Sequence, residues 1–321
     1  IGIIGAGAMG GVHAKLADAS GKGTVCSVFD TDPERARQMA ELYDAEAFSD
    51  LEQMLETELD MVFVCVPNKY HAEIAVRALE KGIHVFCEKP LAVSLEEANS
   101  IKAASEKSGK RVFVGYNRRF APVYEQCKKT VGEPGFKSTN INIIQNDGDM
   151  GSFVWTVDLS SMGGFLYDTT IHLLDMAEYL MGGIQEVRAL GMAACYGIED
   201  DFSIQMKFRN NKTGVISTCG HASWIFPFER VQVVGDHQSV ITEELDRYRY
   251  SPGLAKTIES YDFSQLPFEE KWGYKQMHAH MYDALLNGTP ALNDLERGVR
   301  GVALVEACYL SSGKGGAAVT V

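Results

Sequence analysis

Hydrophobic residues run through the first third of the chain in short blocks separated by amphipathic stretches. Ile1-Gly2-Ile3-Ile4 is a block of strand length, followed by a glycine-rich turn and by helical spacing over about 11–19. Residues 24–29 predict a second strand ending at Asp30, and Asp32-Pro33-Glu34 reads as an N-cap with proline at the first helical position. The run 60–66 is unbroken and rich in β-branched residues, the pattern of a strand buried on both faces. A helix near 70–81, a strand at 84–87, a helix at 95–108 and a strand at 111–115 continue the alternation. Strands separated by helices of this length predict βαβ units, and so an α/β fold with a doubly wound parallel sheet.

The pattern changes near residue 120. Stretches 136–145, 187–194, 202–208, 214–218, 231–235 and 239–242 predict strands, with Asn210-Asn211-Lys212-Thr213-Gly214 as a turn between two of them. Helical spacing appears at 167–181, about 268–286 and about 294–311. A run of strands after a βαβ block predicts a second, α+β domain with a mixed or antiparallel sheet. The expected division is 1–119 and 120–321, with the helix at 294–311 returning to pack on the first domain.

Charge narrows the partners. The 30 basic residues against 43 acidic ones give the 321-residue chain a net charge of −13, which repels a phosphate backbone and argues against nucleic acid. No apolar run approaches the roughly 18–20 residues of a membrane helix, so no membrane partner is expected. The seven cysteines are scattered without a C-x-x-C pair, as expected of reduced thiols in a cytoplasmic protein. Ile1 falls inside a strand, so residues are expected to precede it.

Several segments carry chemistry. Gly5-Ala6-Gly7-Ala8-Met9-Gly10 matches G-x-G-x-x-G between a strand and a helix, where the glycines let the helix N-terminus receive a pyrophosphate. Asp30, twenty residues past Gly10, sits where an acid bonds the adenosine ribose hydroxyls of NAD and repels the 2′-phosphate of NADP. NAD is therefore the expected cofactor, held by Gly5, Gly7, Ala8, Met9, Gly10 and Asp30. Pro67, Asn68, His71, Glu88 and Lys89 leave the carboxyl ends of two further strands, the edge that faces the ligand in such sheets. Lys89 there can donate to a substrate hydroxyl, while a surface ion pair or a plain helix start for His71 are the competing explanations. Finally, Gly163-Gly164 feeds a helix on which Asp168, His172 and Asp175 share one face by i, i+4 and i+3 spacing. That set suits proton transfer, metal ligation or a capped core histidine about equally.

Together these segments resemble the Gfo/Idh/MocA family of NAD(P)-dependent oxidoreductases. The resemblance rests on GAGAMG at 5–10, PNKYH at 67–71, GIHVFCEKPLA at 82–92, GYNRRF at 115–120 and GGFLYDTTIHLLD at 163–175. It implies a Rossmann domain followed by an α/β domain with a large open sheet, often used to form homodimers or homotetramers. It implies Lys89, Asp168 and His172 as the catalytic group and no metal, with Asn117 and Arg118 close to the substrate. Trp155, Asp158, Tyr274 and His278 are candidates for the substrate side, with core packing the competing explanation for each. Two departures stand out: Thr156 where many members carry arginine, and Thr170 in place of the glycine of D-x-G-x-H. The activity so implied is NAD(H)-dependent oxidation of a secondary hydroxyl of a sugar, cyclitol or polyol. A non-catalytic NAD-binding regulator and a glycosidase with transient NAD redox are the alternatives.

Overall fold

The computed structural model describes residues 1–148, 162–223, 225–254 and 257–321. Trp155 and Asp158 lie outside the described residues. The chain divides into two compact units, Ile1–Tyr116 with Lys275–Val302, and Asn117–Tyr274 with Ala303–Val321.

The first unit is a six-stranded parallel sheet in the order β3-β2-β1-β4-β5-β6, the doubly wound arrangement that the alternating pattern predicts. Its strands are β1 (Gly2–Ile4), β2 (Ser27–Phe29), β3 (Glu46–Phe48), β4 (Met61–Val64), β5 (His84–Cys87) and β6 (Val112–Val114). The helices between them are α1 (Ala8–Ala19), α2 (Pro33–Tyr43), α3 (Leu51–Leu55), α4 (His71–Glu80) and α5 (Leu95–Ser108). Asp32 caps α2 by accepting from the Glu34 and Arg35 N–H groups, as the Asp-Pro signal implies. β4 is buried along its whole length because helices cover both faces, which is why it reads as a continuous apolar run. The unit also takes in Lys275–Val302: Val114 N–H donates to Asn293 O at 2.8 Å, and Asn293 Nδ2 donates back to Val114 O at 2.9 Å.

The second unit is a nine-stranded mixed sheet. Its strands are β7 (Asn140–Asn146), β8 (Ile184–Met192), β9 (Asp201–Phe208), β10 (Thr213–Cys219), β11 (Glu229–Val234), β12 (Ser239–Glu243), β13 (Arg247–Ser251), β14 (Glu259–Asp262) and β15 (Val319–Thr320). They lie in the order β14-β13-β12-β11-β7-β10-β9-β8-β15, with β7 and β10 the parallel pair and the others antiparallel. Helices α6 (Pro122–Val131) and α7 (Ile171–Met181) pack on one face of this sheet. Strict alternation buries Ile141 and Ile143 of β7 and Phe202, Ile204 and Met206 of β9 beneath them. The helix expected over 268–286 is interrupted: Gly273 takes φ 83°, and a Cβ there would lie 2.4 Å from Ala121 N, so only glycine fits the break.

Candidate functional site

The glycine loop of the first unit is built for close approach to its backbone. Gly5 takes φ 99°, and a Cβ on Gly10 would fall 2.0 Å from Gly5 O, so both positions demand glycine. Among the described residues, nothing lies within 4 Å of the point where a Gly7 Cβ would stand. Gly7 caps α1 without a side-chain hydrogen bond, and the first turn of α1 holds no acid. An open, uncapped helix start of this kind fits a diphosphate. Asp30 leaves β2 beside it: Oδ2 accepts the Ala6 N–H at 2.8 Å and Oδ1 accepts the Asp32 N–H at 2.9 Å. Its carboxylate therefore ties the loop as well as standing where a ribose is expected, with acceptor capacity to spare.

Asn68 opens a short 3₁₀ turn after Pro67, and His71 begins α4. His71 is buried, with Nδ1 2.6 Å from Pro90 O and Nε2 2.9 Å from Val66 O. It ties together the segments leaving β4 and β5, so its ring braces the edge and does not stand open to a ligand. Burial holds its pKa below the ordinary value, although both carbonyls pull the other way.

Glu88 also turns inward. Its Oε1 lies 2.7 Å from His13 Nε2, and Oε2 accepts the Lys89 N–H at 3.1 Å. Burial opposes ionisation of Glu88, but the His13 hydrogen bond and charge outweigh it and hold the carboxyl below its usual range. His13 Nδ1 is in turn 2.8 Å from His278 Nε2. Both rings lie against Phe63, at 5.5 Å for His13 and 5.3 Å for His278, and Phe86 is 4.7 Å from His13. His278, assigned from sequence to the substrate side, is thus a buried member of the first unit's core, and burial and the His13 charge hold it well below its ordinary pKa.

In the second unit the Gly163-Gly164 turn leads into a π-helical turn, Leu166–Thr170, and only then into α7. The Asp168–His172 spacing is therefore not that of a regular α-helix. Such turns recur where a helix must present side chains off its normal register. Gly164 takes φ 124°, and a Cβ there would meet Tyr309 Oη at 2.5 Å; the same hydroxyl accepts the Leu166 N–H at 3.0 Å. His172 is buried and Asp168 half-buried. Thr170, the departure from D-x-G-x-H, places its hydroxyl 3.0 Å from that of Thr218 on β10, anchoring the turn to the sheet.

Asp175, one turn further on, is engaged by an arginine. It holds Arg119 with two hydrogen bonds of 2.7 and 2.6 Å, both residues being buried. Asn117 is fully buried and donates through Nδ2 to Trp272 O at 2.8 Å. Arg118 donates through Nε to Glu229 at 2.9 Å and stacks over Trp272 at 5.0 Å, while Tyr124 donates to the other Glu229 oxygen at 2.6 Å. GYNRRF thus serves as an internal brace, with Tyr274 also buried nearby in the chain. His13, Arg119 and Glu229 escaped the sequence reading. The one available signal was a histidine on the buried face of the helix that opens at the glycine loop.

Among the described residues no group of three or more His, Cys, Asp or Glu side chains is arranged to hold a metal ion, and no helix is long and apolar enough to cross a membrane.

Residues 1–116 match the family model described as the oxidoreductase family, NAD-binding Rossmann fold, and residues 132–321 match its C-terminal alpha/beta domain. The uncharacterized oxidoreductase YrbE of Bacillus subtilis is 32% identical over 75% of this chain and 73% of its own length. Myo-inositol 2-dehydrogenase of Thermotoga maritima is 27% identical over 76% of this chain and 75% of its own length. Levoglucosan dehydrogenase, solved with NADH and levoglucosan, superposes with a TM-score of 0.91 over 100% of this chain and 98% of that one; at 21% identity this likeness speaks to fold. The first unit is an NAD-binding Rossmann domain, and the chain belongs to the Gfo/Idh/MocA family of oxidoreductases.

Proposed function

We propose that the chain oxidises a secondary hydroxyl of a sugar, cyclitol or related polyol, or reduces the matching ketone, with NAD in preference to NADP. The observation that carries this reading is the presence, at the positions the family motif assigns, of Lys89 after β5 and of Asp168 and His172 around the π-turn. The named inositol and levoglucosan dehydrogenases among the relatives support the substrate class.

NAD, when bound, supplies the hydride acceptor. His172 takes the hydroxyl proton, Asp168 orients and stabilises the imidazolium so formed, and Lys89 polarises the same oxygen by donating to it. The buried seat of His172 limits its rotamers, which favours a fixed direction of proton transfer. Asp30 and the glycine loop hold the nucleotide. The free thiols and the absence of a membrane-crossing helix among the described residues accord with a cytoplasmic enzyme.

A panel of polyols and sugars offered with NAD, read at the NADH absorbance, tests the activity; a panel with no turnover would sink it. With an active substrate, His172→Ala is expected to lower kcat roughly 10²–10⁴-fold, the usual range for a lost general base. NAD affinity should survive, since the loop and Asp30 are untouched. Near-normal turnover in this variant would reassign the proton transfer.

A further inference from the structure

The Glu88–His13–His278 chain lies in the core of the first unit, and no step proposed above uses it. Its three members come from β5's end, from α1 and from the helix Tyr274–Asn287. His13 Nε2 lies 2.7 Å from Glu88 Oε1 and His278 Nε2 lies 2.8 Å from His13 Nδ1, so two imidazoles stand in series behind one carboxylate. The phenyl rings of Phe63 and Phe86 pack against these imidazoles.

The second carboxylate oxygen does something different. Oε2 accepts the Lys89 main-chain N–H, and the carboxylate sits directly against Gly115 at the end of β6, where a Cβ would lie 2.8 Å from Oε2. Glu88 therefore spans two structures: α1, whose N-terminus opens at the glycine loop, and the main chain of Lys89. We infer that Glu88, clamped by His13 and backed by His278, is a positioning group that fixes Lys89 relative to the helix receiving the cofactor's diphosphate. The inference rests on the proposed role of Lys89, but the clamp itself can be read without turnover.

The titratable groups that face Glu88 are His13, Lys89, His71, Cys65 and Cys87, so a charge change there is felt at Lys89 directly. Losing the carboxylate frees the Lys89 main chain and removes a neighbouring negative charge, and both changes favour reaction of its amine.

The test is acylation of lysines by a small amine-reactive ester in the NAD-saturated full chain, followed peptide by peptide by mass spectrometry. Glu88→Ala is expected to raise the labelling rate of Lys89 at least threefold, with the labelling of Lys22 and Lys81 little changed. His13→Gln keeps a donor toward Glu88 and should stay close to wild type, whereas His13→Leu should follow Glu88→Ala. Where Glu88→Ala does not fold, Glu88→Gln fills the same seat without the charge and should give a smaller rise in the same direction. Unchanged or slower labelling of Lys89, or a parallel rise at all lysines, overturns the inference. Turnover separates the two readings. If Lys89→Ala keeps full activity, the proposed function fails while the labelling result stands. If Lys89→Ala lowers turnover to a measurable residual rate, Glu88→Ala should cost turnover in the wild-type background and nothing further in the Lys89→Ala background. Equal fractional losses in both overturn the clamp.

Discussion

Asp30 shows how one side chain can serve fold and ligand together. Its carboxylate accepts two main-chain N–H groups around the glycine loop, so replacing it loosens the loop while removing the charge that a 2′-phosphate would meet. Asp30→Ala is therefore expected to lower kcat/KM with NAD and to raise the NADP-to-NAD ratio of kcat/KM about tenfold or more, by repulsion of a few kcal/mol at most in partly screened surroundings. Unaltered cofactor preference would remove Asp30 from the ribose site. Asp175 is a different case. Its bidentate partner Arg119 is buried with it, so Asp175→Ala leaves an uncompensated buried cation and should destabilise the second unit by about 3–5 kcal/mol in denaturant unfolding. A loss below about 1 kcal/mol would mean that water or a neighbour replaces the carboxylate. The glycines and Asp30 were legible because their spacing to one strand and one helix is local. The partner of Asp175 was not, because Arg119 lies 56 residues away and helical spacing alone pairs Asp175 with His172.

The elements read best are those whose burial is uniform or strictly alternating, such as β4, β7, β9 and β10. Those missed lack such a signal. β3 is three residues, largely exposed; β14 is exposed throughout; and the π-turn before α7 follows from the Gly164–Tyr309 approach, which no periodicity carries. The helix Tyr274–Asn287 brings its own pH dependence through His278. Its pKa is held well below the usual 6.5 by burial, so as pH falls below about 6.5 the unfolded chain takes a proton that the folded chain refuses. Stability is then lost at up to about 1.4 kcal/mol per pH unit for this group, and His71 acts in the same window. Glu88 works lower: its carboxyl is held beneath the ordinary 4.5, so its contribution is present above that value and is lost as pH falls through the folded one. His278→Phe, whose ring suits the neighbouring Phe63, should flatten the loss between pH 7 and 5.5 (an interval set by the ordinary histidine range) and leave the drop at lower pH. Identical pH slopes of unfolding free energy in wild type and variant would contradict this account.

At the scale of the second unit, no helix among the described residues covers the face of the nine-stranded sheet opposite α6 and α7. Ile144, Val215, Leu190 and Met192 are exposed on it, with Ser203, Gln205 and Ser217 between them. On a chain of net charge −13, this stretch carries no acid and is bordered by Arg188 and Arg230, so two identical copies could meet on it with little repulsion, and a two-fold axis would let the patch cover itself. We expect a homodimer or homotetramer formed through this face. Light scattering should give at least twice the monomer mass, and Val215→Lys with Leu190→Lys should reduce it; a monomer at micromolar concentration would refute the expectation. The return of Lys275–Val302 into the first unit has a further consequence, for biosynthesis. Asn293 closes the β6 edge at Val114, and Gly298 fits so closely that a Cβ would lie 2.8 Å from both Leu91 and Val114 side chains. A ribosome must therefore release the chain through Val302 before the first unit can finish folding, although all six of its strands emerge early. Until then Leu91 and Val114, both 0% exposed in the finished protein, are left uncovered on the nascent chain. Such a chain is a natural client for chaperones, and a fragment ending at residue 119 should aggregate where the full chain does not.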